Sequence, residues 1–339
     1  MNRAQLVQIL QQKIEDAILP HVDGLDQVIL LDFPNHANVG DSAIYAGELA
    51  FFRKRLGKAP AIVSGAGDVP WSSIAESRRD DPIFIHGGGN FGDVWPEHQD
   101  FREAVLARFP GRRVIQLPQS IHFSDAGKIA RTADAIKKHG NFVLLVRDDA
   151  SFELARQHFH CEVLRCPDMA FCLGPLAKIG RPERDLLLLL RQDREKRGED
   201  PRDLVDLPPG TLIADWLDDA KNMKAGVKAA TALNALLKLR TSKMAARVDY
   251  FEMLAMSRLR RGMRLLSSSD FVVTDRLHVH IVSTLLDIPH VVLDNSYGKV
   301  SRFIKLWTAE FSGMTQAESL TQALALYRSA SSRAALRSA

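Results

Sequence analysis

Short, continuous apolar runs separated by polar or glycine-rich turns dominate this chain. Examples are QVILLDF, PIFI, RVIQL and FVLLV in the first half, and RDLLLLL, GTLIADW, DFVVT and HVVLD in the second. Runs that do not alternate suit strands buried on both faces, as in parallel sheets covered by helices. Most are followed by a polar loop and then by a helical pattern, the order of a repeated strand–loop–helix unit. At the N-terminus Leu6, Leu10 and Ile14 recur at helical spacing, which predicts an amphipathic helix rather than a signal peptide. The pattern breaks between Pro167 and Pro182 (PDMAFCLGPLAKIGRP), a stretch that reads as a linker. The fold class expected is therefore α/β, with two Rossmann-like, doubly wound domains facing a cleft. Their bounds are 1–172 and 173–312, with a C-terminal helix over 313–339. In such sheets ligands gather beyond the carboxyl ends of the strands, and the polar motifs of this sequence fall there.

Composition narrows the class. The chain has 339 residues, 46% hydrophobic and 25% charged, which excludes wholesale disorder and low-complexity scaffolds and suits two domains, each with its own core. Cys161, Cys166 and Cys172 match neither a disulfide framework nor paired zinc knuckles, so a cytoplasmic location is expected. The longest apolar runs, such as Leu186 to Leu190, are far below the ~20 residues of a membrane span. One segment, 221–264, carries eleven Lys or Arg against Asp249 and Glu252. It predicts long helices with a cationic face: either a solvated surface, or one that meets anionic lipid at the inner face of the plasma membrane or a diphosphate-lipid substrate. Nucleic acid is not expected, since aromatics interleave poorly there and no binding motif appears.

Five loops could carry chemistry. In the first, Asn38, Gly40, Asp41 and Ser42 follow a strand; Asn38 and Asp41 can hold hydroxyls, and Asp41 or Ser42 could cap the next helix. The second, HGGGNFGD, sets Gly88, Gly89 and Asn90 where backbone N–H groups could cradle an anion. Gly87, Gly89 and Gly92 satisfy a G-x-G-x-x-G pattern nominally, but no acidic residue follows at the end of a second strand, which disfavours a nicotinamide enzyme. No P-loop motif occurs. The third loop sets Arg147 at a strand end, a fork for carboxylate or phosphate unless it merely pairs with Asp148 on the surface. The fourth, Thr274 to His280, combines Asp275, Arg276, Leu277 and His278 at a helix start, joining an anion clamp to a titratable imidazole. His280 lies two residues on and so points to another face, which argues against a metal pair and for a packed or surface histidine. The fifth, Asp294 to Lys299, supplies a compact cation in Lys299.

This set (N-x-GD-x-A, HGGGNFGD-x-W, R-D-x-x-S, LLRQDRE, TDRLH and LDNSYGK, from Leu31 to about Trp307) resembles the polysaccharide pyruvyl transferases, in particular the branch that decorates bacterial exopolysaccharide repeat units. The resemblance implies two Rossmann-like domains arranged as in GT-B glycosyltransferases, the first facing the acceptor and the second phosphoenolpyruvate. It also implies transfer of pyruvate from phosphoenolpyruvate to a sugar as a cyclic ketal, with release of phosphate. Arg147, Arg276, Leu277, His278 and Lys299 match the residues that hold phosphoenolpyruvate, and His278 the catalytic histidine. Asp41 and Asp275 are the candidates for the base that activates the acceptor hydroxyl. Asn38, Gly40, Gly88, Gly89 and Asn90 form the acceptor-side loops. No metal and no resident cofactor are expected; the expected partners are phosphoenolpyruvate and a glycan lipid-linked through a diphosphate. A GT-B glycosyltransferase using a nucleotide sugar would share the fold, and a glycan- or membrane-binding module is a third reading.

Overall fold

The computed structural model describes residues 1–191, 207–217, 219, 221–237, 242–294 and 298–338. The first sheet is built from β1 (Val28–Leu31), β2 (Pro60–Val63), β3 (Ile83–Ile85), β4 (Gly88–Gly92), β5 (Val114–His122), β6 (Phe142–Val146) and β7 (Glu162–Arg165). Around it run α1 (Arg3–Ile18), α2 (Val39–Leu56), α3 (Trp71–Glu76), α4 (Pro96–Arg108), α5 (Ala126–His139) and α6 (Asp149–His158). The second sheet comprises β8 (Arg184–Leu189), β9 (Leu212–Ala214), β10 (Ser269–Thr274), β11 (His290–Leu293) and β12 (Met314–Ala317). Its helices are α7 (Met223–Leu237), α8 (Lys243–Ser267), α9 (Leu277–Leu286), α10 (Lys299–Phe303) and α11 (Leu320–Ser338). The C-terminal stretch expected as helix from 313 thus opens with an edge strand of the second sheet.

Every described strand pairing is parallel. β1, β3, β6 and most of β8 are fully buried, as strands covered on both faces must be. The order in the first sheet is β2-β1-β3-β5-β6-β7, with β4 also on β5; in the second it is β12-β11-β10-β8-β9. Both follow the doubly wound pattern in which the first strand lies between the second and third. Each sheet therefore has one point where the chain's winding reverses, between β1 and β3 and between β8 and β10. The loops leaving those strands diverge there and open a crevice.

One apolar core runs through both sheets, from Leu10 and Ile14 of α1 through Phe51 and Phe52 of α2 to Leu187, Leu254 and Leu285. The stretch from Pro167 to Pro182 is not a linker in the sense expected from its breakers. Asp168 caps a 3₁₀ turn, Met169–Leu173, whose first four residues are buried against α2. Gly47 of α2 makes that approach possible: a Cβ there would sit 2.0 Å from the Met169 carbonyl oxygen and 2.6 Å from its carbon. Alanine at an exposed helix-interior glycine gains about 1 kcal/mol. Here backbone must move instead, so Gly47→Ala is expected to destabilise by roughly 1–3 kcal/mol, read as a fall in the urea midpoint at unchanged slope.

Candidate functional site

The two reversal points face one another across a cleft of about 620 Å³. From the first sheet come the loop after β1 (Asp32, Pro34, His36, Ala37, Asn38, Asp41), the break between β3 and β4 (His86, Gly87, Gly89, Asn90), the start of α4 (Trp95, Glu97, His98) and Arg147 after β6. From the second come Arg191 after β8, Trp216 and Leu217 after β9, Arg276, Leu277 and His278 after β10, and Lys299 and Val300 on α10. The motifs of the TDRLH, R-D-x-x-S and LDNSYGK stretches thus converge. Asn295, Ser296, Tyr297 and the residues from Gln192 in LLRQDRE lie outside the described residues.

A buried carboxylate organises the cationic wall. Asp168 Oδ2 accepts from Arg147 Nη1 at 2.6 Å and lies 3.3 Å from His278 Nε2. Its other oxygen accepts from the Ala170 amide. Burial pushes the Asp168 carboxyl up, but His278, Arg147 and that amide outweigh it and hold it well below the carboxylate range. Arg147 is not the surface partner of Asp148. It is 5% exposed, its Nε donates to Ser120, and Trp307 donates to its carbonyl, while Asp148 caps α6 through Ser151. Two residues beyond β10, at the cap of α9, Arg276 has its amide on Thr274 Oγ1, which in turn donates to the Leu189 carbonyl; its guanidinium reaches Asp215 at 2.9 Å. The imidazole of His278 lies on Gly40, where a Cβ would stand 2.5 Å from Nδ1. That contact ties the first-loop motif to TDRLH.

Several expectations on the first-sheet side are corrected. The cap of α2 is Asn38, whose Oδ1 accepts from the Gly40 amide, so neither Asp41 nor Ser42 caps and that oxygen is already engaged. The glycine-rich motif is not an open anion cradle but a broken strand. β3 leaves the ladder at His86 and Gly87 and resumes as β4 on the same neighbour, β5. The amides of Gly87, Asn90 and Gly92 donate to Glu48, Gln119 and Gln99 side chains. The carbonyl freed at His86 accepts from Gln116 and Gln119. Gly88 packs beside Asp41 without lining the cleft, whereas Gly89 and Asn90 do line it. Both ends of the Asn90 amide are used: Nδ2 donates to Asp32, and Oδ1 accepts from Arg102 and Gln119. Arg102 is fully enclosed, and burial pulls its guanidinium down to about 10.

The two candidate bases fare poorly. Burial pushes the Asp41 carboxyl up, but His36, His278, His86 and Arg147 together leave it below its ordinary value, which weakens it as a proton acceptor. Burial raises Asp275, yet its Oδ1 accepts from the Arg191 amide and it does not line the cleft. His280 is a packed histidine and not a surface one: it is fully buried between His290 and Thr308.

Sequence reasoning did not single out Asp168, Glu48, Asp32 or His98. Glu48, buried in α2, takes His86 Nδ1 at 2.9 Å, and Asp32 takes His98 Nδ1 at 2.8 Å. Nor was the role of the basic segment foreseen. Arg258 is fully buried, its Nη1 on the Pro34 carbonyl and its Nε and Nη2 on Asp219. Arg261 reaches the Ala37 and Trp216 carbonyls, and Phe251 stacks on Phe33 at 4.0 Å. These α8 side chains hold the loop after β1 rather than forming a solvated face. Beside them opens a second cavity of about 860 Å³, which shares His36, Glu97 and His98 with the cleft. It is also lined by Phe33, Tyr250, Phe251, Lys228, Lys243 and Arg247.

Fold and cleft together define a parallel α/β protein with a cationic site between two sheets. The sequence profile of polysaccharide pyruvyl transferases matches residues 38–297, and the chain belongs to that family. It is 33% identical over 302 residues to pyruvyl transferase 1 of Schizosaccharomyces pombe, covering 84% of this chain and 70% of that one. It is 30% identical over 311 residues to EpsO of Bacillus subtilis, a chain named for pyruvyl transfer, covering 88% and 90% respectively. The crystal structure of an uncharacterised Klebsiella pneumoniae protein shares the fold at a TM-score of 0.55 and 19% identity, covering 94% of this chain and all of that one. The family supports a transferase of pyruvyl groups in polysaccharide biosynthesis. Among the described residues no helix is long and apolar enough to cross a membrane.

Proposed function

We propose that this chain transfers pyruvate from phosphoenolpyruvate to a sugar of an exopolysaccharide repeat unit, closing a cyclic ketal and releasing phosphate. The observation that carries this reading is the convergence of Arg147, Arg276, Lys299 and His278 on one cleft at the reversal points of both sheets. A compact trianion needs several cations, and addition at C2 needs an acid at C3. In this reading the arginines clamp carboxylate and phosphate, Lys299 neutralises the departing phosphate, and the helix start at Leu277 adds its dipole. His278 protonates C3, making C2 an oxocarbenium-like centre that a sugar hydroxyl attacks. Phosphate leaves with the electrons of its C2–O bond, and a second hydroxyl of the same sugar closes the ketal.

The acceptor enters from the first-sheet side in a GT-B-like arrangement. Trp95, 51% exposed at the cleft wall, offers a sugar a stacking face. The adjoining cavity, with aromatic side chains and the cations Lys228, Lys243 and Arg247, suits a glycan bearing a diphosphate. Leu233 and Leu236 of α7 face solvent on the same helix as Lys224 and Lys228, a combination suited to an anionic bilayer at the cytoplasmic face.

Calorimetric titration with phosphoenolpyruvate, beside UDP- and GDP-sugars, tests the donor. Saturable binding of phosphoenolpyruvate alone is expected. In Arg276→Ala it weakens at least tenfold, the loss of one charge-assisted hydrogen bond of about 1.5–3 kcal/mol. Binding of a nucleotide sugar without response to phosphoenolpyruvate would move the chain to glycosyl transfer.

A further inference from the structure

The reaction needs a group to take the hydroxyl proton of the acceptor, and neither Asp41 nor Asp275 suits that task. A better placed group stands where the cleft meets the adjoining cavity. His98, in the first turn of α4, lines both. Its Nδ1 lies 2.8 Å from Asp32 Oδ1, and among the described residues no hydrogen bond engages its Nε2. Asp32 follows β1 with φ 69°, a conformation that a residue with a side chain keeps where its surroundings fix it. Here the fixing contacts are His98 on one carboxylate oxygen and Asn90 on the other, and Asn90 is itself held by Arg102 and Gln119. A buried carboxylate that engages one imidazole nitrogen fixes the ring and leaves the other nitrogen to accept a proton. The second such pair in the cleft, Glu48 with His86, differs in access: His86 Nε2 is buried, whereas the His98 side chain is 20% exposed.

We infer that His98 is the base that removes the proton from the acceptor hydroxyl, and that Asp32 is the residue that positions it. The inference rests on phosphoenolpyruvate being the donor. Nε2 takes the proton as the hydroxyl oxygen bonds to C2 and C3 is protonated. Phosphate then departs, and the second hydroxyl loses its proton to close the ketal. Of the two hydroxyl protons, one is balanced by the proton gained at C3 and the other leaves on hydrogen phosphate.

The groups facing His98 set its pH dependence. Asp32, Glu97 and Arg102 act on it directly, and His36, Asp68, Lys228 and Arg247 stand around the shared cavity. Burial lowers the imidazole, but the hydrogen bond and charge of Asp32 leave it above its ordinary value. The neutral form is the base, so activity is lost as pH falls through that raised value.

The test uses the full chain, with phosphoenolpyruvate titrated calorimetrically. Phosphate release is followed against pH with the best acceptor among p-nitrophenyl glucosides, galactosides and mannosides. In His98→Gln, phosphoenolpyruvate affinity is expected to stay within about twofold while turnover falls roughly 10²–10⁴-fold and the acid limb of kcat/KM disappears. In His98→Ala, added imidazole restores part of the rate, an outcome that a purely structural histidine would not give. In Asp32→Asn the acid limb moves to lower pH. Near-wild-type turnover in His98→Gln with phosphoenolpyruvate binding intact would overturn the base assignment alone. Wild-type protein that neither binds phosphoenolpyruvate nor releases phosphate would overturn the donor reading beneath it.

Discussion

Replacing His278 by glutamine is expected to lower turnover roughly 10²–10⁴-fold, the usual contribution of a positioned general acid, while phosphoenolpyruvate still binds. Glutamine is close in size and can still reach toward Asp168, 3.3 Å from the imidazole in the wild type, so Arg147 keeps its partner and the cationic wall its shape. What is lost is the group that can deliver a proton to C3. Arg276→Ala should do the reverse at subsaturating donor, weakening binding first. The discriminating measurement is calorimetry beside single-turnover phosphate release at saturating phosphoenolpyruvate. His278→Gln with intact binding and intact single-turnover rate would remove the acid role. Wild-type binding with a collapsed rate is the expected result.

The fold was legible because its signal was redundant. FVLLV and LLLL are too short for helices and too uniformly apolar for half-exposed strands, and their burial follows. The site was legible in part, for Arg147, Arg276, His278 and Lys299 sit at strand ends that periodicity locates, and the cleft gathers all four. What escaped depends on contacts between distant segments. Asp168 lies among helix breakers, and nothing local says that its carboxylate meets residues 21 positions before and 110 after it. The glycine-rich motif suggested a bare anion cradle, but its Gly87, Asn90 and Gly92 amides are taken by Glu48, Gln119 and Gln99 from three other elements. His98 carried a weak signal: a histidine just after Trp95, Pro96 and Glu97 sits in a helix's first turn, directly beyond the glycine-rich motif. Charge counting also misled over 221–264, because a buried arginine such as Arg258 counts the same as a solvated one.

Asp168→Asn should be the most disruptive single change to this site. The carboxylate is buried and serves Arg147, His278 and the Ala170 amide together. Asparagine is nearly the same shape, so no cavity forms and the effect is one of charge. Removing it leaves the Arg147 guanidinium, 5% exposed, with Ser120 Oγ in place of a counter-ion. Breaking a buried pair in this way costs about 3–5 kcal/mol, and urea denaturation at pH 7 is expected to show a loss of that order. The sign with pH follows from the depressed carboxyl. Its contribution is complete above the unfolded-state value near 3.9 and is lost as pH falls below that toward the lower folded value. The gap between wild type and Asp168→Asn should therefore narrow by up to about 1.4 kcal/mol per pH unit below about pH 4. A gap that stayed constant into acid would mean that the loss came from altered packing of the 3₁₀ turn and not from the charge. Phosphoenolpyruvate adds a second reading: as a polyanion beside a now uncompensated Arg147, it should recover part of the lost midpoint in proportion to its occupancy. Sulfate at equal ionic strength serves as the control for simple charge screening.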